Sequence, residues 1–348
     1  MKLLIRATNW VGDAIMALPA LRAVRARFTD AEIAILARPY VGDLYREQRV
    51  CDRLIDYDSG GEHAGTAGGE RLVRELRREK FDTALLLQNA FDAAWIVWRA
   101  GIPRRIGYAR DGRSLLLSEA VTAPRAGEIP PHETFYYLEL LRRVGWIEGL
   151  PEEMEVRLEV SAARRRRGAE ILLEAGARPH ALRIAIGAGA SFGAARCWPA
   201  ERFAEAANRL AELADADVVL FATAGEAAVT GAIAEKLRKP AIDLTGKTAI
   251  AELPGALSQC HLFIGNDSGV MHVAGAVGLP VVGIFGPTDP FGTAPATARR
   301  AIVQEKPYCS PCFLRRCPTD HRCMTRIAPE VVVAAARTWI APAGVETV

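Results

Sequence analysis

Asn266-Asp267-Ser268-Gly269 interrupts an apolar run, and His272 follows one helical turn later. Asn, Asp and Ser are all effective N-caps, and glycine lets backbone come close to a ligand. Backbone N–H groups exposed at the positive end of a helix attract an anion and suit a diphosphate, although the same groups would serve a plain cap. His272 can face either that ligand or the core. A second loop, GAGASFGAARCWP at 187–199, offers glycines and Ser191 for close approach to phosphate and Arg196 for its charge. Its glycines follow GxGxxxG rather than GxGxxG, a poor dinucleotide fingerprint that leaves a structural turn open and argues against a dehydrogenase. In a third loop, RATNWVGD at 6–13, Asp13 opens a helix, either as a cap or as a carboxylate general base. Finally, Cys309, Cys312, Cys317 and Cys323 stand at C-x2-C-x4-C-x5-C, with His321 two residues before the last. That density suggests a tetrahedral structural zinc with His321 as alternative ligand; an iron–sulfur cluster or plain reduced thiols are the other readings.

Such loops need a scaffold, and the chain supplies one by alternating short apolar runs with longer helical patterns. Strands are expected at 2–7, 32–37, 53–57, 82–87 and 104–108, then at 183–188, 217–223, 241–245, 261–265 and 281–285. Helices are expected at 199–213, 227–237, 249–259, 268–277 and 328–340. After the first strand, Ala14, Leu18, Leu21 and Phe28 share one helical face. The pattern loosens between about 150 and 180. The α/β chain is therefore read as two Rossmann-like domains facing each other across a cleft, 1–177 and 178–348, the second carrying the Cys-rich segment 309–323 and a C-terminal helix. In open α/β sheets ligands bind at the carboxyl ends of strands, where all these loops lie.

Composition narrows the function. The 348 residues are half hydrophobic and 24% charged, with a formal net charge of +3. That balance excludes a strongly basic nucleic-acid binder. The absence of an apolar run of about 18 residues and of a signal-peptide pattern predicts a cytoplasmic protein. Seven cysteines, an odd number, speak against a disulfide framework. Arginines cluster at Arg104, Arg105, Arg110 and Arg113 and at Arg164–Arg167. Both clusters read as solvated faces, and the first also as a docking surface for an anionic, membrane-bound substrate.

Four segments together resemble the bacterial lipopolysaccharide heptosyltransferases of glycosyltransferase family 9, most closely the heptosyltransferase II branch. They are IRATNWVGDAIMALPALRAVRARF, GAGASFGAARCWP, GNDSGVMHVAGAVGLPVVGIFGPTDP and CSPCFLRRCP. The resemblance implies the GT-B fold, with an acceptor-binding first domain and a donor-binding second. It implies inverting transfer of L-glycero-D-manno-heptose from ADP-heptose to the lipopolysaccharide inner core, heptosyl-Kdo2-lipid A, at the inner face of the inner membrane. No metal is implied for catalysis. Asp13 matches the family's acceptor-side aspartate, the candidate base; Asn266, Asp267, Ser268, Gly269 and His272 match the donor loop. Arg196 stands where the family usually has lysine, which replaces a point charge by a fork. Ser191 falls in the same donor region, and Glu226 is placed to bind the ribose hydroxyls. The rival expectations are another nucleotide-sugar-dependent GT-B transferase or epimerase, and a nucleotide-sugar-binding protein without turnover.

Overall fold

The computed structural model describes residues 1–340, so the last eight residues of the expected second domain lie outside the described residues. The chain divides into two compact units, Met1–Met154 and Glu155 onward. In the first, six parallel strands, β1 (Lys2–Arg6), β2 (Glu32–Ala37), β3 (Arg53–Asp56), β4 (Thr83–Leu86), β5 (Arg104–Tyr108) and β6 (Glu119–Val121), pair in the order β3-β2-β1-β4-β5-β6. Around them lie α1 (Val11–Met16), α2 (Leu18–Arg27), α3 (Pro39–Tyr45), α4 (Gly65–Glu79), α5 (Phe91–Arg99) and α6 (Glu133–Arg143). Helices on both faces bury a parallel sheet twice over, which is why β1 and β2 are nearly continuous apolar runs. The expected long first helix is instead two: Pro19 lies in the first turn of α2, and its ring and missing N–H close α1 at Ala17.

The second unit repeats the plan. Strands β7 (Arg183–Gly187), β8 (Asp217–Leu220), β9 (Ile242–Asp243), β10 (Leu262–Asn266), β11 (Val281–Phe285) and β12 (Arg300–Gln304) form a parallel sheet in the order β12-β11-β10-β7-β8-β9. Its helices are α7 (Ala162–Glu174), α8 (Ala200–Ala214), α9 (Ala227–Ala234), α10 (Leu253–Leu257), α11 (Gly269–Ala276), α12 (Pro290–Thr293), α13 (Arg322–Thr325) and α14 (Pro329–Ile340). Ile184, Ile186, Trp198, Phe203, Ile264, Val282 and Met324 fill its core. Edge strands β6 and β12 escaped the sequence reading. The expected helix at 249–259 shrinks to α10.

The domain boundary expected near 178 falls instead between Met154 and Glu155. Helix α7 packs on α10 through a glycine pair: a Cβ on Gly168 would strike the backbone of Gly255, and one on Gly255 the carbonyl of Arg164. Upstream, Val156 donates its N–H to Ala296 and Leu158 to Ala276, both at 2.8 Å, so the chain has joined the second unit before α7 begins.

Strand order reverses direction between β1 and β4 in one sheet and between β7 and β10 in the other. Such switch points open a crevice at the carboxyl ends of the flanking strands. The loops after β1 and β4, and after β7 and β10, are therefore where each unit can hold a ligand.

Candidate active site

In the second unit Asn266 ends β10 with its side chain fully buried. Its Oδ1 accepts the N–H of Trp198 at 3.0 Å, and its Nδ2 donates to the carbonyl of Ala188 at 2.5 Å. One amide thus ties the loop after β7 to the end of β10, and Trp198, packed edge-on against Phe203 with its indole N–H on Ile327, anchors that loop in the core. Asn266 positions the loop rather than facing solvent.

Asp267 follows, only 3% exposed. Its Oδ2 lies 3.0 Å from Nη1 of Arg196 and accepts the Thr288 hydroxyl at 2.7 Å. Burial pushes its carboxyl pKa up, while Arg196 and the Thr288 hydrogen bond oppose that shift. The carboxylate is committed to fixing the guanidinium, which also reaches the Asp267 carbonyl at 3.3 Å. The Arg196 guanidinium carbon lies over the ring of Phe192, 4.2 Å from its centroid, and Arg315 approaches the same ring at 5.1 Å. Neither Nε of Arg196 nor Oγ of Ser268 has a hydrogen-bond partner, though both are shielded from water. Ser268 is the N-cap residue of α11 by backbone position and makes no side-chain cap, so the first N–H groups of α11 await an acceptor. His272, one turn in, is buried.

Ser191 is exposed on the loop after β7. Glu226 closes a capping box, its Oε2 accepting Thr223 N–H at 2.9 Å and the Thr223 hydroxyl at 2.8 Å. Its carboxylate covers Gly189 so closely that any Cβ there would strike it. A side chain at 189 would have to displace that carboxylate from its capping box. Glu226 thus stands against the loop that follows β7.

The Cys-rich segment straps this site. Arg315 accepts the N–H of Ala195 at 3.1 Å, Nε2 of His321 lies 2.7 Å from the Ala195 carbonyl, and Cys312 and Phe313 donate to the carbonyl of Pro287. The four thiols share one neighbourhood: Cys323 is pushed up to about 11, first by burial and then by the charges of Cys317, Cys312 and Cys309. Cys309 and Cys312 are exposed, whereas Cys323 is buried. Among the described residues no three His, Cys, Asp or Glu side chains are gathered closely enough to hold a metal ion.

In the first unit Asp13 sits in the first turn of α1. Two buried tyrosines feel its charge: burial first, and Asp13 next, push the hydroxyls of Tyr45 and Tyr137 above the ordinary range. Tyr45 donates to the carbonyl of Ala14 at 3.0 Å and so steadies α1. The loop before it is pinned at Asn9, which is held by Nη2 of Arg6 at 2.8 Å, the Tyr40 hydroxyl at 2.7 Å and Oε1 of Gln88 at 3.1 Å. Burial lowers the Arg6 guanidinium to about 10. Arg113 is fully buried and lowered to about 10 by the same cause, and it braces the loop after β4 through the Gln88 carbonyl and Asn89. Arg104 pairs with Glu119, and Arg105 donates to the carbonyls of Leu116 and Ile102. The arginines read as one solvated or docking face are thus largely spent inside the unit. Arg6, Asn9, Gln88 and Phe192 went unnoticed in the sequence, for nothing in a β-strand pattern marks a buried arginine at its end.

The family model described as glycosyltransferase family 9 (heptosyltransferase) matches residues 70–322. Lipopolysaccharide heptosyltransferase 2 of Escherichia coli is 29% identical over 87% of this chain and 88% of its own length. Among solved structures, E. coli ADP-heptose LPS heptosyltransferase II matches with a TM-score of 0.81 and 26% identity over 98% of both chains. A family 9 glycosyltransferase from Veillonella parvula shares the fold with a TM-score of 0.86 at 22% identity over 97% of both. Two parallel six-stranded sheets, each with a switch point, and a family match across most of the chain lead to one conclusion: the protein belongs to glycosyltransferase family 9, the heptosyltransferases, and is a GT-B glycosyltransferase.

Proposed function

We propose that the protein transfers L-glycero-D-manno-heptose from ADP-heptose to heptosyl-Kdo2-lipid A of the lipopolysaccharide inner core, with inversion at the anomeric carbon. The observation that carries this reading is the Asp267–Arg196–Thr288 cluster beside the open N-terminus of α11. A diphosphate supplies the acceptor atoms that Arg196, Ser268 and the backbone N–H groups lack. As the glycosidic bond of the donor breaks, ADP gathers negative charge, and these preorganised donors stabilise it. Glu226 takes the ribose hydroxyls. Asp13 accepts the proton of the attacking acceptor hydroxyl. The first unit accordingly binds the acceptor and the second the donor. The kinship with relatives that carry the name heptosyltransferase 2 supports the choice of sugar and acceptor.

No helix among the described residues is long and apolar enough to cross a membrane. The proposed setting is the cytoplasm, with peripheral contact at the inner face of the inner membrane where the acceptor lies. Catalysis on this reading uses no metal. A structural zinc at Cys309, Cys312, Cys317 and Cys323 is a separate proposal that requires the thiols to draw closer than they stand here; less than about a tenth of an equivalent in metal analysis of the purified protein removes it. The transfer reading is tested by ADP release with purified protein. ADP must appear from ADP-heptose only when a core acceptor is present, and indifference to ADP-heptose rejects it.

A further inference from the structure

The carboxyl edge of the first sheet holds more positive charge than the loop-pinning role of Arg6 requires. Arg6 ends β1, Arg38 directly follows β2 and Tyr57 directly follows β3, and these three strands are neighbours. Both guanidiniums lie over the Tyr57 ring, Arg6 at 5.0 Å and Arg38 at 5.1 Å from its centroid. Arg6 is 1% exposed, and the Nε atoms of both arginines are shielded from water without a hydrogen-bond partner. Among the described residues neither arginine makes an ion pair. The nearby acid, Asp92, lies within 3.5 Å of the Tyr57 hydroxyl and offsets only part of the two charges. Arg6 donates from Nη1 to the Ala7 carbonyl at 2.5 Å and from Nη2 to Asn9, but its buried Nε, like that of half-buried Arg38, has no acceptor, and two guanidinium charges on one ring repel each other. An anion between them relieves both costs, because the planar forks of arginine match a carboxylate or phosphate bidentately.

Resting on the transfer reading above, we infer that Arg6, Arg38 and Tyr57 form an anion subsite of the first unit that takes a carboxylate or phosphate group of the acceptor. Its position favours the acceptor over the donor: Arg6 also holds Asn9, in the same loop that leads to Asp13. The subsite therefore registers an acidic group of the acceptor against the candidate base.

The test uses the full chain saturated with ADP, so that the donor loop is occupied, and titrates either free Kdo, a carboxylate sugar, or inorganic phosphate by calorimetry. Arg38 is the residue to change because it is only half-buried, whereas Arg6 supports the fold. The wild-type protein is expected to bind one of the two probes, and Arg38→Gln to weaken that binding tenfold or more, with Arg38→Lys between them. Whichever probe is bound identifies the group. Equal binding by Arg38→Gln, or no binding of either probe to the wild type, overturns the subsite. In transfer assays Arg38→Gln should raise the acceptor KM about tenfold with kcat and donor KM within about twofold. If the wild type fails to turn over ADP-heptose while anion binding still depends on Arg38, the transfer reading falls and the subsite stands.

Discussion

The proposed function gives a carboxylate opposite tasks in the two units. Asp267 is buried and paired, so its value lies in aiming Arg196. Thr288→Val removes one of the two partners that hold it, and the loss of a hydrogen bond to a buried charge costs about 1.5–3 kcal/mol. We expect ADP-heptose affinity to fall roughly tenfold or more, measured by calorimetry, with Thr288→Ser close to wild type. On the proposed reading Asp13 acts only as the acceptor hydroxyl attacks. Asp13→Asn should leave ADP-heptose binding nearly unchanged while kcat drops by about 10²–10⁴, the range of general-base catalysis. Unchanged transfer by this variant removes Asp13 as the base.

At the scale of elements, glycines decide where helices touch. Gly168 exists because α7 and α10 meet backbone to backbone, so Gly168→Ala should destabilise by about 1–3 kcal/mol, the usual cost of overpacking. Gly69 in α4 has open space around its missing Cβ, and Gly69→Ala should stabilise by about 0.5–1 kcal/mol through helix propensity. Thermal melts of the two variants check both signs. Glu79, at the end of α4, joins α4 to β1 and β3 through Lys2 and Arg53. Hydrogen bonds from Arg53 and then Lys2 hold its carboxyl down at about 2. Because the folded value lies below the ordinary one, its stabilising contribution is present above about pH 4.5 and is lost as pH falls toward 2. The difference in melting temperature between wild type and Glu79→Gln should therefore shrink across that window; a difference that persists at pH 2 contradicts the pairing.

Across the whole molecule, each unit has its own core, so a ligand held by one should protect that one. Hydrogen exchange with saturating ADP should slow at 188–198, 266–272 and 286–288, together with the strap around 312–321, and leave residues 1–154 near their free rates. Slowing confined to the first unit would reverse the proposed assignment of donor and acceptor sides.

The amino-acid sequence by itself determined the α/β class, the strands on either side of each switch point and the loops that follow them. Those features are local: apolar runs bury in parallel sheets, and Gly, Asn, Asp and Ser at strand ends mark turns and helix starts. The resemblance carried by 266–274 and by the Asp13 loop pointed to the family for the same reason, since its motifs are short and contiguous. What only the tertiary structure decided depends on residues far apart in the chain. The boundary moved to Met154 because Gly168 meets Gly255. Asp267 proved to be a partner of Arg196 and Thr288, 71 and 21 residues away. Edge strands β6 and β12 escaped because a short edge strand lacks the continuous apolar run of a central one. Arg6 and Arg38 carry no motif; three parallel strands bring them onto one tyrosine ring, and burial without counter-charge gives that meeting its chemical meaning.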